Sequence, residues 1–203
     1  MPEGPEVYIL CLALKKYGIN CKSYGKHLYI SNIKEDWSFG LNGKVKIDEK
    51  GNLNKLDKGF IMGEKIKTDI FPFDKLGIDL MSSSLKDFEQ IINIWKTSKK
   101  SLGSLLIDQS QISGIGVAWA SEILHKCNLR PDLCANKQNL SNLSITIEEI
   151  RNYSKELYEN YLSSQTDIVK FINSWFKNLY IERKMNIYKK GIQIKVSGRI
   201  FWV

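Results

Sequence analysis

The stretch LLIDQSQISGIGVAWASEILHK, residues 105–126, decides the fold. Apolar residues at helical spacing lead up to Asp108, two glycines follow at Gly114 and Gly116, and Val117 opens a second apolar-periodic run that ends near Lys126. Two helices joined through a glycine-containing connection satisfy this pattern. The glycines then have two readings: they give a tight connection its positive φ, or they leave the backbone N–H groups of the second helix exposed to attract phosphate. A dinucleotide-binding fingerprint is excluded. It needs a strand before the glycines, where none is legible, and a third small residue where Trp119 stands.

Outward from this stretch, Leu85, Phe88, Ile91, Ile92 and Trp95 predict one more helix before it, and residues 147–162 and 167–178 predict two after it. At the amino end, Val7, Leu10, Cys11 and Leu14 give an amphipathic helix. Between about residues 24 and 67 the pattern changes to short alternating runs at 27–30, 37–41 and 44–47, broken by glycines, which reads as a small antiparallel sheet. The chain closes on IQIKV, SG and RIFWV, residues 192–203, a symmetrical β-hairpin about a two-residue turn. The class is therefore α+β: a small antiparallel sheet domain with an amino-terminal helix, residues 1–80, then a helical domain, residues 81–203, ending in a β-hairpin.

A chain of 203 residues that is 43% hydrophobic is long enough to bury a core, which excludes a disordered tail. Its four cysteines form no CxxC pair, so neither a disulfide framework nor a zinc ribbon is legible. No metal and no cofactor is expected. The longest apolar runs are too interrupted for a membrane span, and no signal-peptide pattern opens the sequence, so the expectation is a monomer that is cytoplasmic or nucleoid-associated, not secreted. A net charge of +8 points to a polyanionic partner. From Thr166 onward eight basic residues face only Asp167 and Glu182, which is a solvated charged face or a nucleic-acid footprint.

Two further constellations carry chemistry. If Met1 is removed, Pro2 presents a secondary amine able to condense with an aldehyde-like sugar carbon, forming an iminium ion that acts as an electron sink. Glu3 and Glu6 bring two carboxyl groups to the same place, one to donate a proton and one to stay ionised beside the cation. The plainer reading is that Pro and Glu serve the first helical turn. Arg199, directly after the hairpin turn, is either a solvated turn residue or a fork for a phosphate, supported by Lys189, Lys190 and Lys195.

These features together resemble the formamidopyrimidine-DNA glycosylase and endonuclease VIII family of base-excision repair enzymes. PEGPEV at 2–7 is similar to its amino-terminal signature, residues 76–134 to its helix-two-turns-helix domain, and NIYKKG at 186–191 followed by GRIFW to its carboxyl-terminal finger, in the family's order. The resemblance implies a bifunctional DNA glycosylase and abasic-site lyase that excises oxidised bases from damaged DNA. Pro2 would form the Schiff base, Glu3 would donate the proton that opens the deoxyribose, and Glu6 would support them. Lys26, in a segment similar to a family strand, would bind phosphate or is a solvated strand lysine. Leu41, in GLNG at 40–43, would fill the gap left by an extruded base or is a buried strand leucine.

The resemblance also marks departures. Val117 stands where the family usually has a phosphate-contacting Asn, so one anchor is missing or is supplied by backbone N–H groups. No RRFG-like segment precedes Leu76, so discrimination by opposite base should be weak. No cysteine follows Cys134, so the finger, about residues 186–203, would be zincless and held by cross-strand packing. Two rivals remain open: a non-catalytic binder of damaged or abasic DNA, and an RNA-binding structural protein using the helical element as a platform.

Overall fold

The structure is a computed structural model that describes residues 2–31, 75–175, 179 and 184–203 in full, and 35–38, 45–47, 53–55, 65–67, 176–178 and 180–182 by backbone course. The chain is α+β and divides into two compact units. One comprises Met1–Lys75 with Ser154–Arg183, the other Leu76–Tyr153 with Lys184–Val203. The units are therefore not two consecutive stretches, because the chain passes between them at 75/76, 153/154 and 183/184.

The first unit opens with α1 (Gly4–Lys16), then β1 (Cys21–Tyr24), β2 (His27–Ile30), β3 (Glu35–Ser38), β4 (Val45–Ile47), β5 (Leu53–Lys55) and β6 (Lys65–Lys67). Four strands form an antiparallel sheet in the order β1-β2-β3-β6, with Cys21 opposite Ile30 and His27 opposite Ser38; β4 and β5 pair separately. α1 was expected to be amphipathic, but it is buried on almost every side: Gly4, Pro5, Glu6, Ile9 and Ala13 are buried along with Val7, Leu10, Cys11 and Leu14. The reason is that β1 and β2 lie against it, and so does α6 (Ile168–Glu182) from the end of this unit. A helix covered by a sheet and by another helix needs no polar stripe.

In the second unit β7 (Ile78–Asp79) leads to α2 (Leu85–Trp95), α3 (Leu102–Ile107), β8 (Ile112–Ser113), α4 (Val117–Lys126) and a short 3-10 turn at Ala135–Lys137. α5 (Leu143–Ser163) follows, its residues from Ser154 on belonging to the first unit, and the chain ends in β9 (Gln193–Val196) and β10 (Arg199–Trp202). Ser84 caps α2 in a reciprocal box with Asp87, accepting from the Asp87 N–H while the Asp87 carboxylate accepts from the Ser84 N–H. The core gathers Phe88, Trp95, Leu102, Leu106, Ile112, Ile115, Trp119, Ile123 and Phe201, all at most 3% exposed.

Two local readings are corrected here. A strand does precede the glycines of 105–126: β8 pairs in parallel with β7, Ile78 opposite Ile112. Two residues are too few to show a period, so periodicity could not reveal it. Gly77 makes the pairing possible, since a Cβ there would lie 2.0 Å from the Gln111 carbonyl oxygen. Lys26 does not lie on a strand either. It occupies the two-residue turn between β1 and β2, after Gly25 at φ +53. Leu41 lies outside the described residues.

Candidate active site and nucleic-acid interface

Pro2, Glu3 and Glu6 are brought together at the start of α1, and all three are buried. Glu3, 4% exposed, is the N-cap, and Pro5 stands in the first turn, where a missing N–H costs no helical hydrogen bond. The completely buried Glu6 carboxylate accepts on both oxygens: the Glu3 N–H donates to Oε2 at 2.8 Å, and the Tyr158 hydroxyl donates to Oε1 at 2.7 Å. A carboxylate in the first turn also meets the positive end of the helix dipole. One turn onward the Tyr8 hydroxyl donates to Glu159 Oε1 at 2.8 Å, and the Lys155 ammonium lies 5.7 Å from the Tyr8 ring centroid. Burial, reinforced by the bond to Glu159, pushes the Tyr8 phenol well above its ordinary range. Three residues of α5 thus grip the leading end of α1.

Tyr158 escaped sequence reading. The signal for it was weak, because a tyrosine in an amphipathic helix is ordinarily a core residue with a wet tip. Only the pairing of a fully buried hydroxyl with a fully buried carboxylate reveals its role. Lys26 belongs to the same unit and is half-buried in its turn.

In the second unit the glycine connection is built differently from the expectation of exposed N–H groups. Gly114, at φ +107, is buried, and its N–H donates to Gln109 Oε1 at 2.9 Å. The Gln109 amide nitrogen in turn donates to the carbonyls of Ile107 and Ile115 at 2.9 and 2.8 Å. Gln109 therefore staples the connection. The positive φ explains Gly114, and its N–H is already engaged. Gly116, also buried, is the N-cap of α4 and uses extended backbone that any residue adopts.

α4 holds the closing hairpin. Glu122, 6% exposed, accepts the N–H groups of Asn186, Ile187 and Tyr188 at 2.9, 2.8 and 2.9 Å. The Ser121 hydroxyl donates to the Val117 carbonyl and accepts the Trp202 N–H at 3.1 Å. Phe201 is buried against Gly103, where a Cβ would come within 3.0 Å of its ring. The hairpin turn places Ser197 at φ +48 and Gly198 at φ +76, the type I′ geometry that matches strand twist, and Ser197 is hydrogen-bonded to Ser104 at 2.8 Å. Arg199 follows opposite Val196 and is exposed. Lys195 is exposed too, whereas the Lys190 ammonium donates to the Met185 carbonyl at 2.6 Å.

A cavity of about 820 Å³ lies along α4 and α5, lined by Trp119, Glu122, His125, Lys126, Glu149 and Tyr153 among others. The Lys126–Glu149 ion pair, 2.9 Å, is part of its lining, which does not include the described candidates Pro2, Glu3, Glu6, Lys26, Gly114, Gly116 and Arg199. Among the described residues no group of three metal-binding side chains converges, and no helix is long and apolar enough to cross a membrane.

No protein-family model matches the sequence. Formamidopyrimidine-DNA glycosylase of Rickettsia africae is 29% identical over 154 residues, covering 69% of this chain and 55% of that protein. The enzyme of the same name from Actinobacillus succinogenes is 30% identical over 135 residues, covering 64% and 48%. The chain thus spans about half the length of the curated relatives it matches. In fold it is similar to a Lactococcus lactis FPG mutant in complex with Fapy-dG-containing DNA, with a TM-score of 0.72 at 17% identity over 99% of this chain and 97% of the other. It is also similar to MutM (FPG) from Thermus thermophilus, with a TM-score of 0.68 at 16% identity over 99% and 96%.

Proposed function

We propose that this chain, a relative of the formamidopyrimidine-DNA glycosylases in sequence that shares their fold, is a DNA glycosylase of base-excision repair with abasic-site lyase activity. Its partner is damaged DNA, and Lys and Arg contacts to phosphates dominate binding. The target nucleotide is extruded at a cost of a few kcal/mol, which damage or mispairing lowers. Pro2, freed of Met1, attacks the sugar C1′ through its ring nitrogen, and the base leaves with the glycosidic electron pair. Glu3 gives its proton to the ring oxygen, which opens the sugar and leaves an iminium ion. The iminium acidifies the C2′ proton, and its loss expels the 3′ phosphate. Glu6, held by Tyr158, fixes the start of α1 so that Pro2 and Glu3 keep their geometry. Lys26, Gly116 and Arg199 contact phosphates, and Leu41 fills the vacated stack.

The observation that carries this reading is the buried grouping of Pro2, Glu3 and Glu6 on a helix start whose carboxylate is braced on both oxygens. The test is borohydride trapping on duplex DNA containing an abasic site, with intact mass establishing whether Met1 is absent. A covalent adduct is expected, and Pro2→Ala should abolish it. No adduct with DNA binding retained would make the chain a non-catalytic binder. Preference for structured RNA, with indifference to changes at Pro2 and Glu3, would make it an RNA-binding structural protein.

A further inference from the structure

We propose that Cys11 and Cys21 form a dithiol site, facing each other across the junction of α1 and β1, that a hydroperoxide converts to a disulfide. Their sulfurs stand 3.4 Å apart, and the residues are 2% and 0% exposed. They come from different elements, Cys11 from the middle of α1 and Cys21 from the first position of β1. The intervening turn is fixed by its own backbone bonds: the Ile19 N–H donates to the Leu14 carbonyl at 2.9 Å, the Gly18 N–H to Lys15 at 3.0 Å, and Gly18 sits at φ +91. The facing arrangement of the sulfurs is therefore built in. A disulfide needs them at about 2.0 Å, an approach of about 1.4 Å from where they stand.

The two thiols are not equivalent. The hydrogen bond from Cys21, aided by the Lys15 ammonium and opposed by burial, pulls the Cys11 thiol below its ordinary range. The same bond and burial push Cys21 up, so Cys21 keeps its proton. The Cys11 thiolate attacks one peroxide oxygen; the S–O bond forms as the O–O bond breaks, and the other oxygen leaves as hydroxide or alkoxide, which takes up the proton Cys11 released on ionising and departs as water or alcohol. The Cys21 sulfur then attacks the sulfenic sulfur of Cys11, displacing hydroxide, which takes the Cys21 proton and departs as water. Two thiols lose two electrons in all, and the peroxide gains them. Burial restricts the oxidant to a small one and shields the sulfenic acid from solutes other than Cys21. The proposal stands whether or not the chain acts on DNA.

The test uses the folded chain treated with hydrogen peroxide, after which remaining thiols are blocked in denaturant and the protein is digested with trypsin. Lys15 and Lys16 lie between the two cysteines, so cleavage separates Cys11 from Cys21 unless sulfur joins them. A linked peptide pair, two hydrogens lighter than the sum of its parts and lost on dithiothreitol treatment, is expected. It should form ahead of any link involving Cys127 or Cys134, and that preference should vanish when peroxide is added in urea. Recovery of Cys11 and Cys21 as separately blocked or sulfinic peptides, at a dose that oxidises Cys127 or Cys134, would overturn the proposal. So would indiscriminate pairing in the folded chain.

Discussion

Glu6 has both carboxylate oxygens engaged inside the protein, one by the Glu3 N–H and one by the Tyr158 hydroxyl. A fully buried carboxylate held in this way is suited to positioning the start of α1. Tyr158→Phe withdraws one charge-assisted donor from a buried acceptor while keeping the ring in place. It should cost about 1–3 kcal/mol, read as a lower urea midpoint of the full chain with an unchanged slope. An unaltered midpoint would mean that the hydroxyl contributes nothing net to holding the start of α1.

At the scale of elements, the helices of residues 85–126 and the closing hairpin were legible because each carries a strong local signal: apolar periodicity with caps, or alternation about a Ser-Gly turn. What was not legible depends on partners distant in sequence. The near-complete burial of α1 reflects the elements packed on it, β8 is visible only through its pairing with β7, and Lys26 sits in a turn that its flanking residues do not announce. The same division runs through the site. Pro2, Glu3 and Glu6 stand out as residue types at one helix start, but Tyr158, Gln109 and Glu122 act through bonds to groups far along the chain or to backbone. Glu122 did leave one trace, a carboxylate within the buried stripe of α4, which is rarely tolerated unpaired. Glu122→Ala should leave three partly buried N–H groups without their acceptor and destabilise the second unit by about 1–3 kcal/mol. Amide exchange at Ile187 and Tyr188 should accelerate most, and uniform protection across the segment would count against this role.

For the whole molecule, a charge of +8 makes attraction to a polyanion a general property, so affinity alone says little about which cations touch it. The salt dependence of affinity does discriminate, because each phosphate neutralised adds about one unit to the slope of log affinity against log salt. Near the hairpin the cations differ in their engagements. Arg199 is exposed on the ladder just past a rigid turn, whereas the Lys190 ammonium already donates to the Met185 carbonyl. Arg199→Ala should therefore lower the slope for abasic-site duplex by about one unit. Lys190→Ala should leave the slope nearly intact and instead loosen the bend between Met185 and Gly191. Fluorescence anisotropy titrations over a salt series measure both. Equal slope changes for the two variants would mean that only bulk charge matters, and an unchanged slope for Arg199→Ala would remove the hairpin tip from the DNA interface.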